Sequence, residues 1–405
     1  MITEEFNTFV RTHIEDDLPR LVLDAAKYPG VDVRAAALRI EGLRKIKDKL
    51  PEWYACSGVV IPAPVSAEQC SSAFTGEYKQ RFITPGTLVY DLTGGLGVDS
   101  FYFARAGARV LYAEPEEGLC RAALHNFKVL GCAHSITVVQ STAESLWDFL
   151  PDLPSPDMIY LDPSRRTGDN SRIYDLEACS PNVVELRELL LHKAPRVLIK
   201  ISPMADISRI VTLLPATKEI HILSARNECK EILVFMERES TKTLSRRIFC
   251  EPGFSFLMEE ESRASAEREA LLGNRVPTPG HYLYEPGASV MKSGAFFLTA
   301  QRYAVSKFHT NSHLYYSDKA VPDFPGRSFV IERVLPFSSR ELRRLSTFYP
   351  KANLAVRNFP LSVAQWRQRT RIADGGNDYL FGTTVRTGSG DGHFIICTTK
   401  IDEKP

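Results

Sequence analysis

The sequence predicts an α/β protein: a Rossmann-like seven-stranded sheet, an N-terminal helical part before it and an α+β region after it. Three observations point there. Seven short β-rich runs lie between residues 87 and 237. Helical patterns separate the first six, as the βαβ units of a mostly parallel sheet require. Only Ser224–Lys230 separates the last two, too short for a crossover helix, so they should form an antiparallel pair at one edge.

Residues 1–80 read as a helical region and linker. The stretch Ile2–Lys27 is broken only at Pro19, and a second amphipathic helix runs near Val33–Leu50, with Leu38, Leu43, Ile46 and Leu50 at roughly helical spacing. Its last turns carry Arg44, Lys45, Lys47 and Lys49, which suit the negative end of the helix dipole on a solvated face. Pro51 should stop it. Residues 55–75, rich in Pro, Ser, Ala and Cys, read as a linker or irregular approach.

The sheet is placed within residues 81–240, with strands at Thr87–Leu92, Arg109–Glu114, Ile136–Gln140, Asp157–Asp162, Arg196–Ser202, Lys218–Leu223 and Glu231–Glu237. Residues 241–280 are polar, carry the charge run Glu259–Arg268 and read as a linker or solvated helix. Short aromatic strands with many Gly and Pro follow, divided near Pro322-Asp323-Phe324-Pro325-Gly326 into segments 281–323 and 324–405. From Phe324 to Asp402 there are 12 Lys/Arg against 6 Asp/Glu, although the whole chain is nearly balanced at +1. A local basic face is therefore compatible with the neutral average.

Composition narrows the class. Hydrophobic residues make up 44% and charged residues 24%, ordinary globular usage. No apolar run approaches the roughly 20 residues of a membrane span. The N-terminus MITEEFNTFV lacks a basic region followed by an apolar core, so a cytoplasmic protein is expected, with no membrane partner. The eight cysteines contain no CxxC pair and read as reduced and mostly buried. His309 and His313 have i,i+4 spacing, but no third ligand stands out, so no metal is expected.

The strongest chemical signal is Val89-Tyr90-Asp91-Leu92-Thr93-Gly94-Gly95-Leu96-Gly97-Val98-Asp99, a strand ending in an acid, a glycine-rich turn and the start of a helix. Glycine serves where backbone turns tightly or approaches a ligand. Ligands of doubly wound sheets sit at the carboxyl ends of the strands. An NAD site prefers G-x-G-x-x-G, whereas here Gly95-x-Gly97-x-x-Ser100 lacks the third glycine. Asp91 before the loop would disfavour a pyrophosphate. It suits an ammonium group, such as that of the methionine part of S-adenosylmethionine. Glu114 ends the next strand and can accept both hydroxyls of a ribose. After the third strand, Ala143 could pack on adenine and Glu144 take its amino group, although Ser141 or Thr142 also reads as a helix N-cap.

The fourth strand ends Met158-Ile159-Tyr160-Leu161-Asp162-Pro163-Ser164-Arg165-Arg166. Here the chain resembles class I S-adenosylmethionine-dependent methyltransferases, whose loop, ribose acid and Asp-Pro fall in this order and spacing. The resemblance implies that Asp91, Thr93, Gly94, Gly95, Gly97 and Asp99 belong to the cofactor site with Glu114, Ala143 and Glu144. It places Asp162 and Pro163 at the catalytic edge, with Asp162 bordering both cofactor and acceptor. Ser164 and Arg165 stand where amine-methylating relatives often carry a second proline and an aromatic, so this motif supplies no stacking platform for a flipped base. No cysteine follows Pro163, and Cys179 falls in a predicted helix and reads as structural.

A narrower likeness rests on Lys49-Leu50-Pro51-Glu52-Trp53, Ser71-Ser72, Tyr78-Lys79, Asp91-Leu92-Thr93-Gly94-Gly95, Asp162-Pro163-Ser164-Arg165-Arg166 and Glu228-Cys229-Lys230-Glu231. It continues with Tyr284-Glu285-Pro286, His313-Leu314-Tyr315, Arg357-Asn358-Phe359-Pro360 and Gly375-Gly376. The chain thereby resembles a bacterial family of candidate methyltransferases with a C-terminal THUMP-like domain. That likeness implies a methyltransferase core, a small ferredoxin-like segment, a THUMP-like end and an RNA substrate, tRNA or rRNA. The basic groups of the end agree: Arg340, Arg343 and Arg344 at helical spacing, then Arg357, Arg367, Arg369 and Arg371 among Phe359 and Trp366. Lys79, Arg165, Arg166, Arg357 and Arg369 are the candidate substrate contacts. A protein or small-molecule acceptor, a non-catalytic RNA-binding protein that retains the pocket, and an NAD oxidoreductase are the alternatives.

Overall fold

The structure, a computed structural model, describes residues 3–165, 176–238 and 245–401. The chain divides into two compact units, Met1–Lys218 with Glu231–Leu244, and Glu219–Lys230 with Ser245–Pro405.

Unit 1 opens with helices. Thr3 caps α1 (Glu4–Thr12), Asp17 caps α2 (Leu18–Leu23) and Asp32 caps α3 (Val33–Ile46), each side chain accepting a backbone N–H of the first turn. The two prolines act differently from the expectation. Pro19 sits in the first turn of α2, and Pro51 opens a new helix, α4 (Pro51–Ala55). A proline at the first helical positions loses no hydrogen bond, because those N–H groups have no intrahelical acceptor. The expected linker at 55–75 is also corrected: it holds α5 (Pro64–Gln69) and leads into α6 (Ala73–Lys79), which Ser72 and Thr75 close with a capping box. The basic end of α3 is paired locally, Lys47 with Glu15 and Lys45 with Glu41 and Glu68.

The strands follow as β1 (Leu88–Asp91), β2 (Arg109–Ala113), β3 (Ile136–Val139), β4 (Met158–Leu161), β5 (Arg196–Ile201), β6 (Thr217–Ala225) and β7 (Glu228–Glu237). Between them lie α7 (Val98–Arg105), α8 (Glu117–Val129), α9 (Leu146–Phe149), α10 (Val183–Lys193) and α11 (Ile207–Leu213). The order in unit 1 is β6-β7-β5-β4-β1-β2-β3, to which β6 contributes Thr217 and Lys218. Strands β1 to β5 are parallel and β7 runs antiparallel to β5. Strands β1 and β4 are buried almost throughout, as expected of a sheet covered on both faces. Arg226 and Asn227 turn β6 into β7 with φ of 53° and 58°, the left-handed pair of a tight hairpin turn. Cys179, expected in a helix, lies in a two-residue strand, Cys179–Ser180, that pairs with Ser164–Arg165.

In unit 2 the expected linker or solvated helix at 241–280 proves to hold a helix and an unexpected hairpin before it. Residues 241–280 contain β8 (Arg247–Glu251) and β9 (Phe254–Leu257), then α12 (Met258–Ala266) and α13 (Arg268–Leu271). Residues 219–223 of β6 pair in parallel with β8, which pairs antiparallel with β9. The alternating burial of Phe254 and Phe256 is a strand signal that the charge run beside it concealed. The rest comprises β10 (Tyr282–Pro286), α14 (Ala288–Ser293), α15 (Phe296–Arg302), β11 (Ser306–Lys307), β12 (Tyr315–Ser317), β13 (Gly326–Pro336), α16 (Ser339–Phe348), β14 (Asn353–Arg357), α17 (Val363–Thr370), β15 (Asp378–Thr387) and β16 (Gly390–Lys400). Its sheet has the order β11-β12-β10-β13-β16-β15-β14, antiparallel except for the β14–β15 pair. Leu342, Leu345, Trp366, Leu380 and Ile395 pack α16 and α17 onto it. Among the described residues, no helix is long and apolar enough to cross a membrane, and no group of three or more His, Cys, Asp or Glu could hold a metal ion.

Candidate cofactor and acceptor site

The carboxyl ends of β1, β2 and β4 bring the predicted residues together in unit 1. The loop after β1 is held from three sides. The N–H of Gly94 donates to the carbonyl of Ala113 at 2.9 Å, the Tyr112 hydroxyl donates to the carbonyl of Gly95 at 2.6 Å, and the N–H of Asp162 donates to Thr93 Oγ1 at 2.6 Å. The last bond ties the glycine loop to the end of β4. Two glycines are required by space and conformation. A Cβ on Gly94 would sit 2.2 Å from Cε2 of Tyr112. Gly97, with φ of 86°, starts α7 from the left-handed region, where a side chain is strained.

Asp91 is buried. Ser100 donates to Oδ2 at 2.6 Å and the N–H of Thr93 to Oδ1 at 3.2 Å, but among the described residues no cation pairs with it. Burial raises its carboxyl to about 7, the Ser100 bond opposes this, and Asp99 adds to it. Glu114 is buried too. Its oxygens accept the N–H groups of Gly95 at 2.9 Å and Glu116 at 3.0 Å, which partly offset the rise that burial causes. Each oxygen keeps a further lone pair.

Not every predicted residue takes its expected place. Ala143 is buried, whereas Glu144 is exposed in the turn before α9. Neither Ser141 nor Thr142 caps that helix; its N-cap is Ser145, without a side-chain bond. Asp99, expected beside the cofactor, has both oxygens engaged elsewhere: Lys79 Nζ at 2.9 Å, Ser71 Oγ at 2.8 Å and the Tyr160 hydroxyl at 2.7 Å. Burial pushes Asp99 up, but Lys79 and Lys200 outweigh it and hold the carboxyl below its ordinary value. Lys79, expected to meet substrate, is 0% exposed and also pairs with Glu231 at 2.9 Å. Its correction has a plain cause: it lies on the buried face of α6, and a fully desolvated ammonium needs carboxylates around it. Asp162 and Pro163 are partly exposed at the end of β4. Arg165 follows in the short strand described above, and Arg166 lies outside the described residues. In unit 2, Arg357 is tied to the buried Glu285 at 2.7 Å, with Arg327 on the same carboxylate, while Arg369 is exposed on α17.

The site also contains residues that sequence reasoning missed. Lys200, the one charge in Val197-Leu198-Ile199-Lys200-Ile201, reaches Asp162 Oδ2 at 2.6 Å. A lysine inside an otherwise apolar strand was the available signal. Tyr160 and Glu231 carried none of comparable strength.

Comparison with known proteins now bears on this arrangement. A ferredoxin-like domain family matches residues 282–325, and a THUMP domain-like family matches residues 326–400. A protein of Porphyromonas gingivalis W83, whose solved structure is described as that of a candidate methyltransferase, is 33% identical, aligns over 98% of both chains and has a TM-score of 0.85. The chain belongs to that family. Two more distant solved structures are a SAM-dependent methyltransferase from Agrobacterium tumefaciens (17% identity, 41% of this chain, 60% of that one, TM-score 0.30) and a candidate rRNA methylase from Clostridium thermocellum (16%, 40%, 95%, TM-score 0.30). At those scores neither carries weight here. Among curated proteins none matches the chain.

Within this methyltransferase family the cofactor can be tested against the residues present. Asp91 is a buried carboxyl that no cation pairs with among the described residues, a charge that the ammonium of S-adenosylmethionine would supply. Glu114 has lone pairs to spare for two ribose hydroxyls. The residues fit.

Proposed function

We propose that the protein is an S-adenosylmethionine-dependent methyltransferase that acts on RNA. The observation that carries the reading is the 2.6 Å bond from the N–H of Asp162 to Thr93 Oγ1, which joins the cofactor loop to the acid at the acceptor edge. A methyl donor and its acceptor must be held in line within contact distance, and a rigid link between their two holders is what that requires. Asp91, Thr93 and Gly94 to Gly97 would hold the methionine part, Glu114 the ribose, and Ala143 the base. When bound, S-adenosylmethionine supplies a methyl group already activated on a sulfonium.

The protein's own residues do the remainder. Asp91 and Glu114 orient from buried positions, where hydrogen bonds are stronger and more directional than in water. Asp162 faces the acceptor, accepts its hydrogen and takes up its proton. Pro163 fixes the backbone that follows. No aromatic follows Pro163, so this motif does not stack a base.

RNA as the acceptor is supported by unit 2. Its THUMP-like region presents Arg340, Arg343 and Arg344 exposed on α16. The guanidinium of Arg333 lies 4.5 Å from the ring centre of Phe348, which is 48% exposed. Arg369 and Arg371 are exposed on and after α17. Exposed guanidiniums bind phosphate, and an exposed ring beside arginines offers a base a stacking surface.

The test is methyl incorporation from labelled S-adenosylmethionine into RNA taken from cells without the protein, with a protein pool and an Asp162→Ala enzyme alongside. Label in RNA that is lost with the variant is the expected result. Label in the protein pool alone, or none anywhere, refutes the RNA assignment.

A further inference from the structure

Beneath the acceptor edge of unit 1 lies a layer of buried charge that the roles above leave unused. Lys200 on β5 points its Nζ at Asp162 Oδ2 at 2.6 Å and at Ser71 Oγ at 3.4 Å. The same hydroxyl accepts from Lys79 Nζ at 3.0 Å and donates to Asp99 Oδ2 at 2.8 Å. Lys79 closes the layer on Asp99 and Glu231, each at 2.9 Å, and the Tyr160 hydroxyl donates to Asp99 at 2.7 Å. Lys200 is therefore faced by Asp162 after β4, Ser71 and Lys79 around α6, Asp99 of α7 and Glu231 of β7, with Cys70 close by. Two ammonium groups stand among three carboxylates. Burial alone would lower Lys200, but Asp162, Glu231 and Asp99 reverse that and push it above its ordinary value. Its side chain is 15% exposed and that of Asp162 is 32% exposed, so the pair closes the layer on the open side.

We propose that Lys200 is a positioning residue that pins one oxygen of Asp162 and leaves the other as a single fixed hydrogen-bond acceptor, so that the methyl acceptor is an atom bearing a hydrogen. The proposal deepens the methyltransferase reading and rests on it. Three holds fix the carboxylate: Thr93 on its backbone N–H, Pro163 after it and Lys200 on Oδ2. Among the described residues Oδ1 has no partner. A carboxylate bound to an ammonium accepts hydrogen bonds and has no proton to donate. It therefore favours an exocyclic amine, a ring N–H or a hydroxyl, and repels a bare ring nitrogen such as N1 of adenine or N7 of guanine, whose lone pair would face its negative charge. In the transfer to an amine, the substrate nitrogen's lone pair forms the bond to the methyl carbon. The carbon–sulfur bond breaks with its electron pair left on sulfur. The nitrogen's proton passes to Asp162 and from there to water.

Three measurements test this. The first needs no turnover: lysines are labelled with an amine-reactive reagent and read by peptide mass spectrometry. Lys200 should react at least about tenfold more slowly than exposed lysines, the factor for one unit of perturbed titration, and Asp162→Ala should accelerate it. Equal reactivity, or no response to Asp162→Ala, overturns the pair. The second is the methylated nucleoside. Methyl groups on exocyclic amines, ring N–H positions or ribose hydroxyls support the proposal, and N1-methyladenosine or N7-methylguanosine overturns it. The third is kinetic. Lys200→Met should lower kcat by about 10–100-fold, the lower part of the range for proton-transfer groups, with KM for RNA and Kd for S-adenosylmethionine unchanged. Lys200→Arg should restore most of the rate, which also covers a Met variant that fails to fold. In an Asp162→Asn background Lys200→Met should cost no more than about twofold further, because coupled residues are not additive. Full additivity overturns the proposal. A wild-type enzyme that labels no RNA ends the RNA reading and the acceptor-class statement together, while the labelling result still decides the pair.

Discussion

Replacing Asp91 by Asn should make unit 1 more stable and less able to bind the cofactor, opposite effects that follow from one buried carboxyl. Burial raises the Asp91 carboxyl to about 7 in the folded chain, against 3.8 for an ordinary aspartate. At 1.36 kcal/mol per unit this sets a ceiling of about 4 kcal/mol on the cost of ionising it in place. The sign follows from the direction. Between pH 4 and 7 the folded chain retains a proton that the unfolded chain has released, so wild-type stability falls as pH rises through that window and levels off above it. Asparagine has no such dependence, yet it can still accept the Thr93 N–H and bond Ser100. Recovery of half the ceiling, about 2 kcal/mol, is about 4–8 °C in the melting of a unit of this size. The assay is calorimetric melting of both proteins from pH 4.5 to 8, with S-adenosylmethionine titrated into each. The gap in Tm should be smallest at the acid end and widest above pH 7, and the variant should bind the cofactor at least about tenfold more weakly, the loss of one charge-assisted hydrogen bond. A gap independent of pH, or an Asn variant that melts lower at pH 8, refutes the reasoning.

Three further outcomes are expected. Gly94→Ala drives a Cβ to within 2.2 Å of the buried Tyr112 ring; it should cost about 1–3 kcal/mol of stability by overpacking and abolish cofactor binding, read by melting and calorimetry. Lys79→Met leaves Asp99 and Glu231 without their shared ammonium. The loss should be about 3–5 kcal/mol near pH 7 and smaller near pH 4, because the stability from a depressed carboxyl such as Asp99 is present at higher pH and is lost as pH falls. Melting across that range checks both the size and the slope. Arg333→Ala with Arg344→Ala should weaken RNA binding about equally for different sequences and lower the dependence of log K on log salt by about one to two, measured by binding titrations at several salt concentrations.

What was legible in the sequence divides by the range of the interaction behind it. The seven strands β1 to β7 of the nine-stranded first sheet could be read, because buried strands are short apolar runs and each is punctuated by a loop. The Asp91 to Gly97 loop was legible because crowding at Gly94 and the left-handed backbone at Gly97 admit only glycine there. Local polarity misled where it masked burial. The acid-rich run from Glu259 is the surface of α12, and it hid the hairpin of β8 and β9 just before it. The prolines at 19 and 51 were read as breaks, although each sits in the first turn of a new helix, α2 behind the Asp17 cap and α4 behind Leu50. The roles of Lys79, Asp99, Lys200 and Glu231 were out of reach for a different reason. They lie on α6, α7, β5 and β7, separated by as many as 152 residues, and only the closed sheet sets them in one layer.

The site's logic is the contrast between two aspartates at the ends of neighbouring strands. Asp162 has an ammonium 2.6 Å away, and Asp91 has none among the described residues. If both served only to stabilise the fold, the cheaper arrangement would pair both or replace Asp91 by a neutral residue of the same shape, because a buried unpaired carboxyl is destabilising. At Asp162, Lys200 holds one carboxylate oxygen, and the other has no partner among the described residues. The missing pair at Asp91 leaves a demand for positive charge that a cationic ligand can meet, and binding then recovers the free energy that folding left unsatisfied. The two carboxylates therefore differ in what they can take up: Asp91 lacks a cation among the described residues, whereas Asp162 already holds one.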